Sequence, residues 1–397
     1  MRAGSPSPRI VATSALDRLY QIDSDEALQE CLTAFQTAVK GCFALADKSK
    51  EDALISTVLS GEEAISTELY KAYADNFRRA VDAVPIDDSE LSAQWHANVA
   101  RFAAYKAYHA TDELRRIADE EDGDMAYIKA VLHKYSRYQA AEYNTAVARA
   151  RTGKQWQQFD EPDNRRLFPC IKWLPSRSAS PREEHIPFYN RVWPKDDPFW
   201  SHNQPGTLWN CKCDWEQTDE DPTDGNPTTR ISKPGLDKNP ATSGQIFTDT
   251  AAYIKKAPKG TEKECRKVNR NAIKSSSKAN PLLKEKSTCV IKDTSHQVEF
   301  VYYGIEECAQ SMFANDNFWL KNVSLNNLPD MIKKSTWIKS ENVDLSHNSG
   351  LTLRRKKKWG KVHYFKTSLA NGDDVFLHIA EQKDGVWILY TMTGNLK

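Results

Sequence analysis

Two groups of residues in this 397-residue chain carry the side chains that metal binding or acid–base chemistry requires. The first is a Cys-x-Cys pair, Cys211 and Cys213, with His185 upstream. The second lies close to the C-terminus and combines histidines with a lysine and hydroxyl groups: His363, Lys366, His378, Tyr390 and Thr391. The two groups predict different chemistry, and different structural elements must position them.

Zinc prefers thiolate and imidazole ligands, so His185, Cys211 and Cys213 could provide three of its ligands. The set is incomplete, because no second cysteine pair with the usual zinc-finger spacing follows it. In the other interpretation both cysteines are small buried hydrophobic residues and His185 is hydrogen-bonded beside them. We favour this second interpretation and expect no cofactor, with zinc as the alternative.

The C-terminal group has the parts of a ribonuclease that works without metal. A histidine can transfer protons near neutral pH, and cations can stabilise the phosphorane that forms during RNA cleavage. A basic run precedes His363 and predicts a nucleic-acid-binding edge: Arg354, Arg355, Lys356, Lys357, Lys358 and Lys361. We expect His363 and His378 to share one sheet face with Thr391, an expectation that assumes a strand register.

The elements around these groups change character along the chain, which predicts a multidomain protein. Apolar residues recur at helical spacing as far as residue 153, and the aromatic segment (residues 183–215) is rich in proline and tryptophan. Asn371-Gly372 and Lys383-Asp384-Gly385 separate alternating runs and predict hairpins. The predicted order is an irregular arm (1–20), a mainly α-helical domain closed by the aromatic segment (21–216), a linker (217–285) and a small α+β domain with an antiparallel β-meander (286–397).

Composition limits the class of protein. The chain is 40% hydrophobic and has a net charge of +1, which is typical of a folded protein without an overall nucleic-acid signature. The linker is first acidic and then basic, with eleven Lys or Arg against three acids in residues 255–286. Eight unevenly spaced cysteines indicate reduced thiols, and no apolar run approaches a membrane span. We therefore expect a soluble protein made in a cytoplasm, without a membrane partner.

The aromatic segment also resembles a known family. Arg182-x-x-His185, then Trp193-Pro194-x-Asp196-Asp197-Pro198-Phe199-Trp200, then Asn210-Cys211-Lys212-Cys213 resemble the phage Mu F-like head morphogenesis (minor head protein) family. Lys212 departs from the family pattern, in which arginine is usual. The resemblance covers roughly residues 20–216. It implies a minor capsid protein of a phage or prophage, located in the virion near the portal, with portal and capsid proteins as partners.

The C-terminal residues resemble a second family. From about residue 290, helices are followed by an antiparallel sheet, a His363-Tyr364 strand, the basic run and a terminal Tyr390-Thr391. This order resembles the phage nuclease domains of the barnase–EndoU–colicin–RelE-like superfamily (the BECR fold), which occur appended to Mu F-like head proteins. The resemblance implies a hydrolase, an RNase toxin acting on RNA such as tRNA, with an immunity protein as a further candidate partner. The alternative is a structural head protein whose basic C-terminal domain binds nucleic acid or a capsid partner without catalysis.

Overall fold

The computed structural model describes residues 62–120, 125–311, 313, 317–346 and 350–396. These residues form two compact units, one comprising 62–87 with Asn98–Glu262 and the other comprising Asp88–Ala97 with 263–396. A helical N-terminal region is followed by a C-terminal region rich in antiparallel strands, which confirms the predicted fold at this level. No helix in these ranges is long and apolar enough to cross a membrane. The arm predicted at 1–20 lies outside the described residues.

Long helices dominate the first unit. Its helices are α1 (Glu62–Asp82), α2 (Ser89–Glu120, of which residues 89–97 group with the second unit), α3 (Met125–Asp160), α4 (Pro162–Leu167), α5 (Pro240–Ser243) and α6 (Ala252–Lys255). The apolar residues at helical spacing bury their rings here. Phe77 of α1 and Phe102 of α2 meet edge to face with ring centroids 5.4 Å apart, and Phe247 stacks on Phe102 at 4.0 Å.

Part of the segment predicted as a linker (217–285) packs onto these helices. Leu236 and Phe247 are fully buried, although proline, glycine and polar residues surround them. The buried guanidinium of Arg149 on α3 donates to the carbonyls of Leu236 at 3.0 Å, Lys238 at 2.6 Å and Ile246 at 2.5 Å. The segment has the composition of a linker because few of its own side chains hold it in place. Its backbone is held instead by Arg149, almost 90 residues earlier in the sequence.

A small sheet and two short 3-10 helices organise the aromatic segment. The sheet has the order β2–β1–β3, with β1 (Cys170–Leu174), β2 (Val192–Pro194) and β3 (Asp214–Thr218), and the 3-10 helices are Glu183–Phe188 and Pro198–Ser201. Its core is mostly aromatic: Phe159, Ile171, Trp173, Phe188, Trp193, Phe199, Trp200 and Trp215. Trp193 stacks on Phe199 with centroids 4.2 Å apart. This packing offsets the entropy lost on ordering a proline-rich segment.

The second unit contains the C-terminal sheet and the helices beside it. The helices are α7 (Thr261–Ser276), α8 (Tyr302–Gln310), α9 (Asn317–Ser324), α10 (Leu328–Lys333) and α11 (Gly350–Lys356). The strands are β4 (Lys286–Ile291), β5 (Thr294–Phe300), β6 (Thr336–Asn342), β7 (Trp359–Ser368), β8 (Asp374–Gln382) and β9 (Trp387–Thr393). The predicted hairpin turns join β7 to β8 and β8 to β9, with Gly372 and Gly385 at positive φ.

The sheet of the second unit has the order β4–β5–β9–β8–β7–β6. Neighbouring strands are antiparallel except β5 and β9, which pair in parallel from Val298 opposite Trp387 to Phe300 opposite Leu389. Helix α8 follows β5 after one residue and packs close to β9. Gly304 marks the closest approach, because a Cβ built there would lie 2.2 Å from the carbonyl oxygen of Leu389.

Replacing Gly304 by alanine is expected to destabilise the second unit. The added methyl group would collide with backbone atoms of a central strand, and such overpacking costs about 1–3 kcal/mol. Urea unfolding of the full chain measures the effect. Gly360→Ala is the matched control, since a Cβ there meets nothing nearer than 3.8 Å. Equal stability of the two variants would contradict the prediction.

Candidate functional site

The predicted metal-ligating residues come together in the aromatic segment. His185 lies in the 3-10 helix Glu183–Phe188, Cys211 in the turn after Leu208, and Cys213 directly before β3. Their candidate ligand atoms all lie within 4.8 Å of one another, and among the described residues no other His, Cys, Asp or Glu set of three or more was found at this spacing. His185 and Cys211 are buried, whereas Cys213 is partly exposed.

The geometry of this cluster is centred on one ring nitrogen. His185 Nδ1 lies 3.2 Å from Cys213 Sγ and 3.4 Å from Cys211 Sγ. Hydrogen bonding from the Cys213 thiol holds the pKa of Cys211 well below its usual value, and the same interaction raises the pKa of Cys213. Cys211 is therefore the more acidic thiol of the pair.

The residues that carry the Mu F-like resemblance also build this cluster. The Arg182 guanidinium donates to the carbonyl of Trp209 at 3.0 Å, and the Arg182 carbonyl accepts from the His185 amide at 3.0 Å. Asn210 adopts φ 57°, a conformation that asparagine tolerates better than most residues. Arg182 and Asn210 thus fix the loop that brings Cys211 to His185.

The second predicted group divides between the two faces of the C-terminal sheet. Tyr364, His378 and Thr391 are direct cross-strand partners, so their side chains share a face. His363 is opposite Ile379 and points to the other face, because neighbouring residues in a strand alternate. The expectation that His363 and His378 share a face is wrong, and a register differing by one residue from the assumed one is the reason.

His363 is buried and has partners at both ring nitrogens. Nδ1 contacts the Ser340 hydroxyl at 2.7 Å, and Nε2 contacts the Glu381 carboxylate at 3.1 Å. Trp387 stacks on the His363 ring at 4.2 Å and on His296 at 4.0 Å. Burial lowers the pKa of His363, and the hydrogen bond to Glu381 opposes this shift. These contacts indicate a structural histidine rather than a catalytic one.

His378 lies on the half-exposed face, beside groups with hydroxyls. Its ring centroid is 4.7 Å from that of Tyr364, and its Nε2 is 3.0 Å from Thr393 Oγ1. The Thr393 hydroxyl donates its own proton to the Asn395 carbonyl at 2.9 Å. Thr393 Oγ1 therefore accepts from His378 Nε2–H, which leaves Nδ1 as the unprotonated nitrogen of the neutral ring.

Charged residues from neighbouring elements act on this face. Burial lowers the pKa of His378 to about 4, opposed by Glu341 and reinforced by Lys339 and Lys356. Burial, together with a hydrogen bond to Glu341, raises the pKa of Tyr364 to about 12. The ammonium of Lys339 lies 5.1 Å from the Tyr364 ring centroid. At neutral pH the face therefore presents an uncharged imidazole and a protonated phenol, with the cations Lys339 and Lys356 and the Glu341 carboxylate beside them.

The lowered pKa of His378 predicts a pH dependence of stability. The folded state binds this proton less tightly than the unfolded state, whose histidine pKa is about 6.5. The stability contribution is therefore present above pH 6.5 and is lost as the pH falls towards about 4. Urea unfolding at several pH values is expected to show a smaller loss of stability for His378→Asn than for wild type. The exposed His133→Asn should leave the loss unchanged, and the same loss in all three chains would contradict the prediction.

The other predicted catalytic residues have different surroundings. Lys366 forms an exposed ion pair with Asp374 at 2.6 Å. Tyr390 packs edge to face on Trp359 with centroids 4.6 Å apart, and burial raises its pKa. Of the five predicted catalytic residues, His378 and Thr391 are therefore the pair that the register places side by side.

The basic run spans the end of α11 and the start of β7. Arg354 and Arg355 lie in the last turn of α11. Arg355 lies over the Tyr303 ring, with its guanidinium carbon 4.1 Å from the ring centroid. Arg355 and Lys356 are partly buried, whereas the others are exposed: Arg354, Lys357, Lys358 and Lys361. The run thus combines an exposed basic surface with one cation, Lys356, that acts on His378.

Sequence reasoning missed several residues of the His378 face: Thr393, Tyr364, Glu341 and Lys339. Side chains alternate along a strand, so Thr393 shares the face of Thr391, two residues earlier, and Tyr364 lies on the face opposite its neighbour His363. This alternation could have identified Thr393 and Tyr364 only if the strand register had been known. Glu341 and Lys339 belong to β6, which no sequence pattern assigned to this face.

Comparison of the chain with models of known protein families, with curated proteins and with solved structures finds no match.

Proposed function

We propose that this chain is a minor head protein of a phage or prophage whose C-terminal domain is a metal-independent ribonuclease. The ribonuclease proposal rests on one observation, the His378 face. There a neutral imidazole contacts Tyr364 and Thr393 on a half-exposed sheet, with Lys339 and Lys356 acting on it. In this proposal the two compact units correspond to a Mu F-like head domain and a nuclease-like α+β domain.

The proposed reaction follows from the protonation states on this face. His378 Nδ1 takes the proton of an RNA 2′-hydroxyl, and the 2′-oxygen attacks the adjacent phosphorus. The bond between phosphorus and the 5′-oxygen breaks, and the Tyr364 phenol protonates the leaving oxygen. Lys339 and Lys356 stabilise the negative charge of the phosphorane. The products are a 2′,3′-cyclic phosphate and a 5′-hydroxyl end, and no metal takes part.

The head-protein proposal rests on the ordered motif of the aromatic segment. The structure supports treating that motif as one unit, because Arg182, His185, Trp193, Phe199 and Cys211 lie in or beside a single buried core. In this proposal the chain is located in the virion near the portal, where portal and capsid proteins are its partners. RNA, such as tRNA, is the partner of the C-terminal domain, and an immunity protein protects the producing cell.

The ribonuclease proposal is tested with the purified full chain. Total tRNA and ribosomal RNA are incubated with it in EDTA, and the ends of the fragments are analysed. We expect cleavage with 2′,3′-cyclic phosphate ends, and a His378→Ala chain purified in parallel excludes contaminating nucleases. Intact RNA that is nevertheless retained by the protein at low salt would overturn the catalytic proposal in favour of a binding domain.

The head-protein proposal has a separate test. Particles are induced from a lysogen that encodes the chain, purified, and analysed by quantitative mass spectrometry. A few copies per particle, and defective DNA filling when the gene is deleted, are the expected results. Particles that lack the chain and are nevertheless filled normally would refute the proposal, whatever the ribonuclease assay shows.

A further inference from the structure

We propose that His185, Cys211 and Cys213 bind one Zn²⁺ ion, which holds the loops of the aromatic segment together. The proposal concerns the first unit and does not depend on the ribonuclease. It reverses the interpretation that the sequence favoured, in which the two cysteines were simply buried residues. Three features of the structure support the reversal: the spacing of the donor atoms, the orientation of the histidine, and the groups beside the sulfur of Cys213.

The spacing of the donor atoms matches that of a tetrahedral zinc site. Zinc lies about 2.3 Å from sulfur and about 2.0–2.1 Å from imidazole nitrogen, so tetrahedral angles place the nitrogen and each sulfur about 3.5 Å apart. The two nitrogen–sulfur separations here are 3.2 and 3.4 Å. Both differ from the expected edge by only a few tenths of an ångström, and all three donor atoms lie within 4.8 Å of one another.

The orientation of His185 directs Nδ1, and not Nε2, at the two sulfurs. The residue is completely buried, and its Nε2 has no hydrogen-bond partner. A buried polar atom without a partner costs about 1–3 kcal/mol. Nδ1 faces both sulfurs and is therefore the ring nitrogen that would bind the ion, whereas the cost at Nε2 is the same with or without it.

The surroundings of Cys213 suit a metal-bound thiolate. The Trp173 indole N–H and the Tyr189 hydroxyl are buried near its sulfur, and neither has a hydrogen-bond partner. Donors of this kind hold and orient metal ligands from outside the coordination shell. Three protein ligands leave a fourth position for water, the arrangement of a Cys₂His site. Zn²⁺ is the expected ion, because a donor set of two thiolates and one imidazole suits it better than Mg²⁺ or Ca²⁺.

The test uses the full chain expressed with zinc in the medium. Elemental analysis is expected to give about one zinc per chain, and Co²⁺ in place of zinc should produce the charge-transfer and visible bands of thiolate-bound cobalt. Cys211→Ser and Cys213→Ser should each weaken zinc binding more than about 100-fold in competition with a colorimetric chelator. Cys170→Ser is the matched control, because Cys170 is a buried free cysteine of the same unit outside the cluster.

Two further measurements keep the proposal falsifiable if the serine variants fail to fold. Tyr189→Phe retains all three ligands and is expected to weaken zinc binding about 10-fold. Chelation of zinc from the wild-type chain is expected to lower its melting temperature, and zinc should restore it. Folded wild-type protein with far less than one zinc per chain and no cobalt bands would overturn the proposal. So would equal zinc loss in Cys170→Ser and Cys211→Ser.

Discussion

Replacing His378 by alanine is expected to slow the proposed RNA cleavage by at least about 100-fold, the usual contribution of a positioned general base. The physical reason is the tautomer fixed by Thr393, which leaves Nδ1 unprotonated and able to accept the 2′-hydroxyl proton. Because the pKa of His378 is about 4, the group remains a base throughout the neutral range. The rate of the wild-type chain should therefore be constant through the neutral range and fall in acid as the pH approaches 4.

Two variants separate catalysis by His378 from a general effect on the sheet. Thr393→Val removes the acceptor for Nε2–H and should lower the rate less than His378→Ala, since the imidazole remains. His133→Ala removes an exposed histidine of α3 and should leave the rate unchanged. Rates are measured with a fluorescent RNA substrate in EDTA, and RNA affinity is measured separately. A His378→Ala chain that cleaves as fast as wild type would exclude His378 as the base.

Replacing Arg149 by methionine is expected to destabilise the first unit by about 3 kcal/mol or more, because each buried carbonyl that loses its donor costs about 1–3 kcal/mol. Methionine keeps much of the apolar volume but cannot donate to the carbonyls of Leu236, Lys238 and Ile246. Those carbonyls would then be buried without these charge-assisted hydrogen bonds. The segment from Leu236 to Phe247 is expected to detach, so limited proteolysis should cut there.

The control for this prediction is Arg166→Met on α4. Arg166 is an exposed arginine whose side chain forms a weak ion pair with Asp163 at 3.5 Å, so its loss should change stability by less than about 0.5 kcal/mol. Both variants are compared by urea unfolding with tryptophan fluorescence. If Arg149→Met were as stable as Arg166→Met, the guanidinium would not be what orders the segment.

The sequence predicted those parts of the fold that depend on local chemistry. Asn371-Gly372 and Asp384-Gly385 suit the turns that join β7, β8 and β9, and these hairpins are present. The helices of the first unit follow the spacing of apolar residues such as Phe77 and Phe102. Each of these signals is contained within a short stretch of chain, which is why it could be read without the structure.

The sequence could not predict features that depend on distant pairing. A shift of one residue in the register moved His363 to the opposite face from His378, because side chains alternate along a strand. The residues around Phe247 had the composition of a linker, since their main partner, Arg149, lies on a distant helix. The cluster of His185 with Cys211 and Cys213 was visible as a set of residue types, but the distances that favour zinc were not.

The position of β9 within its sheet has a consequence for synthesis on the ribosome. β9 comes after both of its neighbours in the chain, and it pairs with β5 on one side and β8 on the other. During translation, β5 and β8 are synthesised before β9, so the edge of each strand that pairs with β9 has no partner until β9 is made. The sheet can close only after Trp387–Thr393 has left the exit tunnel, and such non-local pairing is slow to form. Until then the His378 face lacks Thr391 and Thr393, the two residues that β9 contributes to it.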